Sequence, residues 1–160
     1  MVSRKLKFRP VPSSCILLVC LASTADRALA MGPDVTTMDA SSLVQLEERA
    51  NQADPREKCY LYAEVLRGLT ELEGRQIAAG QEEQAHTTMQ RMNDVAAKIH
   101  AASVKDAKRL KNAEQILQRT TVRVSDMVHV ASAEEQAAMQ STLQHLNTVH
   151  SELLTMVFAR

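Results

Sequence analysis

The sequence predicts an all-α protein: an antiparallel bundle of about four long helices after a short first helix, spanning residues 41–160. Three observations point there. Ala, Leu, Gln, Glu, Met and Lys fill most of the chain, and these residues lose little freedom in a helix. Gly and Pro number only four each among 160 residues, which leaves little punctuation and implies long elements. Aromatic residues are 2% of the total, so the core must be built from Leu, Val, Met and Ala, which suits narrow helix–helix packing. The length allows one domain of ordinary size.

Residues 1–30 read as a cleavable signal peptide. Arg4, Lys5, Lys7 and Arg9 form a positive start, Cys15 to Ala22 a short apolar run, and Ala28, Leu29 and Ala30 a small-x-small cleavage signal. Cleavage after Ala30 would leave Met31 as the new N-terminus. The apolar run is well short of the ~20 residues that cross a bilayer, so no stable membrane anchor is expected after cleavage. A retained signal anchor is the alternative. The expected location is the periplasm or the outside of a bacterial cell.

Export changes both the charge and the cysteine arithmetic. The whole chain has 19 Lys and Arg against 19 Asp and Glu. Removing residues 1–30, with five basic residues and one acid, leaves 14 against 18, a mildly acidic body of about −4. Such a body offers no electrostatic reason to bind nucleic acid. Cys15 and Cys20 leave with the signal, so Cys59 has no internal disulfide partner. Its spacing puts it on the helical face of Tyr62 and Leu66. Burial is therefore expected, with a bridge between two chains as the alternative.

Residues 31–40 show no periodicity and read as a flexible N-terminal segment. A first helix is expected over Ser41–Gln52, with Leu43, Val44 and Leu46 as its apolar side. Asp54, Pro55 and Glu57 then form a strong start signal: an N-cap, a proline at the first helical position and an acid at N3. The second helix carries Leu61, Tyr62, Val65, Leu66, Leu69, Leu72 and Ile77 on one face. Gly80 ends it as the left-handed residue after the cap.

From Gln81 to Ala131 there is neither Pro nor Gly. Ala85, Met89, Met92, Ala96 and Ile99 step by four and three, and Leu110, Ala113, Leu117, Val124, Met127 and Ala131 continue the register. Ser103 and Asp106 interrupt it and can form a capping box. A break near Ser103 gives a compact antiparallel bundle. No break gives a rod of ~50 residues and ~75 Å that would favour a dimer. The break is preferred because one chain can then bury its own stripes.

Thr120 to Val130 is rich in β-branched residues, with Val122, Val124, Val128 and Val130 alternating. A strand needs a partner, and no second candidate exists, so this segment is expected to be helical. Ser132 and Glu135 form a further capping box. They open a last helix with Met139, Leu143, Leu146, His150, Leu153 and Val157 at heptad, coiled-coil-like spacing.

Hints of chemistry are few. Glu83 with His86, and Asp126 with His129, have the Glu-x-x-His spacing of di-metal carboxylate bundles and would fall at one end of a helix pair. Neither pair sits on the core stripe, one acid is Asp, and matching inward Glu residues are not evident. No catalytic, cofactor-binding or metal-ligating residue is therefore assigned, and no cofactor is expected. His145 and His150 are five apart and face different ways. The methionines 89, 92, 127, 139 and 156 lie on or beside core stripes, where gap-filling explains them. Lys105, Lys108, Arg109 and Lys111 form a basic cluster, most simply a solvated face. Residues 78–85 resemble the turn within tetratricopeptide-type hairpins, but no ~34-residue period follows. Nucleophile elbows and phosphate loops are missing.

The segment Asp106 to Glu114 and the closing segment Glu152 to Phe158 look like those of exported helical proteins of soil bacteria that have no assigned function. The resemblance implies an extracytoplasmic helical protein and carries over no catalytic residues. Taken together, the residues lead to a non-enzymatic module that acts through protein–protein interaction, with an unknown partner or with itself. The alternative is a small-ligand or metal-binding bundle using His86, His129 and nearby acids.

Overall fold

Three of the five helices start at a side-chain cap, those of Asp39, Asp54 and Ser132. The computed structural model describes residues 38–104 and 107–159. The expected signal peptide, its cleavage site after Ala30 and most of segment 31–40 lie outside the described residues. Five helices follow in order: α1 (Ala40–Gln52), α2 (Pro55–Ala78), α3 (Glu82–Ala102), α4 (Leu110–Val130) and α5 (Ala133–Phe158). The described residues contain no strand, and none of the helices is long and apolar enough to cross a membrane.

Helix α1 starts at Asp39, whose side chain accepts the Ser42 N–H at 2.9 Å. Hydrogen bonds from Ser42 and Ser41 hold the Asp39 carboxyl below its usual range. The helix buries Leu43 and Ala50 and half-buries Leu46, spacings of three and four along one face. Val44 departs from expectation: it is 57% exposed, because it sits ~100° around the helix from Leu43. Glu47 reaches across to Lys98 at 2.7 Å and Arg91 at 3.0 Å on α3. Burial works against its charge, but those two partners win and keep its carboxyl below the ordinary value.

The start and end of α2 match the sequence signals. Asp54 accepts the Arg56 N–H at 2.9 Å ahead of Pro55. At the other end Gly80 takes φ +68°, its N–H bonds the Ile77 carbonyl, and the Gln81 N–H bonds that of Gln76. This paired closure satisfies carbonyls that the helix end would leave bare.

Residues 81–131 are not one helix. Helix α3 stops at Ala102, and α4 begins only at Leu110, so the continuous rod does not form. Ser103 does not open α4, whose N-cap is Arg109. Ser103 caps the C-terminus of α3, and its hydroxyl donates to the Ile99 carbonyl at 2.7 Å. Asp106 lies outside the described residues. The link is fastened where the Lys108 N–H donates to the Arg56 carbonyl at 2.7 Å. Arg109 then turns left-handed, φ 58°, and lays its guanidinium over the Tyr60 ring at 4.8 Å.

The β-branched run 120–130 is helical throughout. It buries Thr120, Thr121, Val124 and Val128 and leaves Val122 and Val130 exposed. Thr121 returns its hydroxyl proton to the Leu117 carbonyl. At Ser132 the expected capping box forms in both directions with Glu135.

Helix α2 packs on α3 and α4, and α5 packs on the same two, so the four long helices form a ring with α2 opposite α5 and α3 opposite α4. Sequence neighbours joined by tight turns run antiparallel. Helices α3 and α5 run side by side in the same sense, since Asn93 meets Thr142 and His100 meets Glu152. Helix α1 packs its backbone on α2 and reaches α3 through the Glu47 ion pairs with Arg91 and Lys98. The main core holds Leu66, Leu69, Leu117, Leu146 and Leu153, all fully buried, and each contributes about 2 kcal/mol relative to exposure. Cys59 is fully buried among them, in line with its spacing.

Candidate functional site

A second, smaller apolar cluster forms where α2 turns into α3 and α4 turns into α5. It consists of Met89, Met127, Val128 and Met139. Methionine packs without rigid shape, so this end has a softer floor than the leucine core. Above it opens a cavity of about 340 Å³. The Gly80 turn brings Glu82, Glu83, Ala85, His86 and Met89 of α3 to one wall. The Ser132 cap brings Glu135, Ala138 and Met139 of α5 to the other. Helix α2 closes the back with Glu73.

Glu73 is the anomaly of the fold. It is 2% exposed, yet no hydrogen bond or ion pair to another described residue involves it. A buried carboxylate in that state is costly unless something relieves it. No side-chain oxygen among the described residues is both sealed from solvent and unpartnered. The Glu73 carboxyl therefore keeps its outlet through the cavity it lines. Burial first, and then the Glu135 carboxylate nearby, push its pKa from 4.5 up to about 7. Glu135 itself is held by the cap, accepting from the Ser132 hydroxyl at 2.8 Å and the Ser132 N–H at 3.2 Å.

Of the residues singled out in the sequence, Glu83 and His86 line this cavity. Asp126 and His129 do not; both are exposed on α4, the helix diagonal to α3. The two Glu/Asp-x-x-His pairs thus share an end of the bundle but not a site. No group of three or more His, Cys, Asp or Glu side chains among the described residues is arranged to hold a metal ion. His145 and His150 face different neighbours, as their spacing required. His145 Nδ1 lies 3.4 Å from Asn93 Oδ1 on α3, and His150 Nε2 lies 3.0 Å from Glu114 Oε1 on α4.

The described members of the basic cluster, Lys108, Arg109 and Lys111, stay together at the α3–α4 link. Lys108 pairs with Glu57 at 3.2 Å, Arg109 covers Tyr60, and Lys105 lies outside the described residues. These groups border a larger concavity, about 570 Å³, between α1, α2 and the α3–α4 link. Glu64 in its wall accepts from the Tyr60 hydroxyl and binds Arg67. That groove holds no buried group in want of a partner, so the end pocket is the stronger candidate.

Sequence reading missed Glu73, although a signal for it exists. Leu66, Leu69 and Glu73 are spaced by three and four, so Glu73 occupies the next core position of the α2 stripe. A charged residue in core register marks either a paired partner or a site. Comparison of the chain with protein-family models, with curated proteins and with solved structures gave no match.

Proposed function

We propose that this protein is an exported, non-enzymatic binding module whose recognition site is the end pocket of its helical bundle. One observation carries the reading: Glu73, almost wholly buried, has no partner among the described residues and opens on a cavity of about 340 Å³. A volume of that size lies at the small end of ligand pockets, which combine an apolar wall with a few polar groups. Ala85, Met89, Ala138 and Met139 supply the wall here. The one hydroxyl of the lining, Ser132, is engaged with Glu135 in the α5 cap, and no hydrogen bond among the described residues joins it to His86 as a nucleophile and base would be joined. An apolar wall beside an unpartnered carboxyl suits the binding of a ligand. Export rests on the positive start, apolar run and Ala-x-Ala signal of residues 1–30.

Methyl-labelled methionines test the proposal directly. A panel of small molecules and short peptides is added to the protein while the methionine methyl resonances are recorded. The expected result is a shift of Met89 and Met139 with Met92, fully buried in the main core, unmoved. Shifts confined to other methyls, or none with any compound, would remove the end pocket as a recognition site. Export is checked separately by the intact mass of protein recovered outside the cytoplasm, which should begin at Met31.

A further inference from the structure

The end pocket is acidic in a one-sided way. Glu82 and Glu83 on α3, Glu135 on α5 and Glu73 on α2 contribute four carboxyl groups to its lining, which includes neither Lys nor Arg. His86 is the single base in the wall. Helix α4 adds no lining residue. Four carboxyl groups with no basic counterpart create a negative field that a bound cation would relieve.

We propose that this pocket takes an organic cation, a protonated alkylamine or guanidinium, with its charged head at Glu73 and its apolar stem along Met89 and Met139. The inference rests on the end pocket being the recognition site. A head group with several N–H donors supplies what the Glu73 carboxylate lacks, and charge-assisted hydrogen bonds are the strongest of their kind. An alkyl stem meets thioether and methyl surface, where burial of CH₂ groups is favourable. Binding would also draw Glu73 into its ionised form, which burial and the Glu135 carboxylate disfavour.

Two other ligand chemistries fit less well. A bare divalent ion wants several oxygen or nitrogen ligands converging at once, and the described residues offer no such group. An anion would find two helix N-termini here, those of α3 and α5. Their partial positive charge is already met by Glu82 and Glu83 in the first turn of α3 and by Glu135 at the α5 cap. Glu73 then adds a carboxyl that an anion would have to approach unscreened.

The same cation chemistry can come from a free amine or from a Lys or Arg side chain of a protein partner. The test uses n-pentylamine and agmatine as free cations, a lysine-bearing peptide as the protein-borne one, and n-pentanol and pentanoate as neutral and anionic counterparts. Binding is read from the Met89 and Met139 methyl resonances. The inference expects the cations to bind and pentanol and pentanoate to bind far less. Glu73→Gln should weaken the cations by about tenfold or more, as loss of a buried charge partner does. Glu83→Gln, at the pocket rim, should weaken them by a smaller factor. Tighter binding of the peptide than of pentylamine and agmatine assigns the cation to a protein partner; the reverse assigns it to a free amine. If pentanol binds as well as pentylamine, or Glu73→Gln leaves cation binding unchanged, the cation is wrong while the pocket stands. If no probe moves Met89 or Met139, both readings fall.

Discussion

Leu43 of α1 occupies the space in which a Cβ on Gly68 of α2 would stand. Gly68 is buried within α2, so its missing side chain forms a notch, and Leu43, fully buried, fills it. Because α2 is the helix whose backbone α1 packs against, this notch is the main apolar seat of the first helix, beside the Glu47 ion pairs to α3. Gly68→Ala should lift α1, at a cost of about 1–3 kcal/mol for overpacking, offset by up to ~1 kcal/mol of helix propensity. Gly74 is the control. A Cβ there meets Arg123 Nη2 at 3.7 Å and Met127 Sδ at 3.8 Å, ordinary contacts. Gly74→Ala should therefore stabilise by about 0.5–1 kcal/mol. Urea unfolding of both variants, with hydrogen exchange across α1, checks the contrast; equal effects at both sites would refute it.

Much of this fold was legible from the chain. The caps at Asp54 and Ser132, the left-handed Gly80 and the stripes of α2 and α3 all report local chemistry, which a sequence states openly. The α3–α4 break was legible only as an interruption of the stripe. Its form was not, because Ser103 bonds backward to Ile99 and Arg109 turns left-handed over Tyr60, contacts that depend on tertiary neighbours. Ring order was hidden for the same reason: the sequence placed His86 and His129 at one end without saying that their helices lie diagonally. Glu73 was visible as a charge in core register, but its lack of a partner needed α3 and α5 in place.

The His150–Glu114 pair joins α5 to α4 where both side chains are largely buried, at 20% and 11% exposure. Removing one member strands the other. His150→Ala and Glu114→Ala should each destabilise by about 1–3 kcal/mol, and the double variant by less than the total of the two. Strict additivity in a denaturation cycle would mean that the pair carries no coupling.

Cys59 should be chemically silent in the folded protein. It is fully buried, and burial pushes its thiol pKa up, with the Ser103 hydroxyl 3.8 Å away only partly offsetting this. Thiolate is the reactive form, so a disulfide reagent should label Cys59 on unfolding and not before. Rapid labelling of native protein, or a dimer that reductant dissolves, would contradict its place in the core.

Glu73 ties stability to pH with a definite sign. The folded protein holds the Glu73 proton more tightly than the unfolded chain does, from an ordinary 4.5 to about 7. Its contribution is fully present below pH 4.5 and is lost as pH rises through about 7. Glu73→Gln should match the parent protein in acid and exceed it above neutrality, by up to about 3 kcal/mol. Thermal unfolding at two pH values measures this, and a Gln variant less stable than the parent in alkali would reverse the sign.

The most direct test is the titration of Glu73 itself, followed through its side-chain carboxyl carbon by NMR and assigned with Glu73→Gln. An unpartnered carboxyl buried at the wall of the end pocket predicts a midpoint of about 7. A midpoint near 4.5 would mean that Glu73 is solvated or paired, and the pocket would lose the feature that makes it a site.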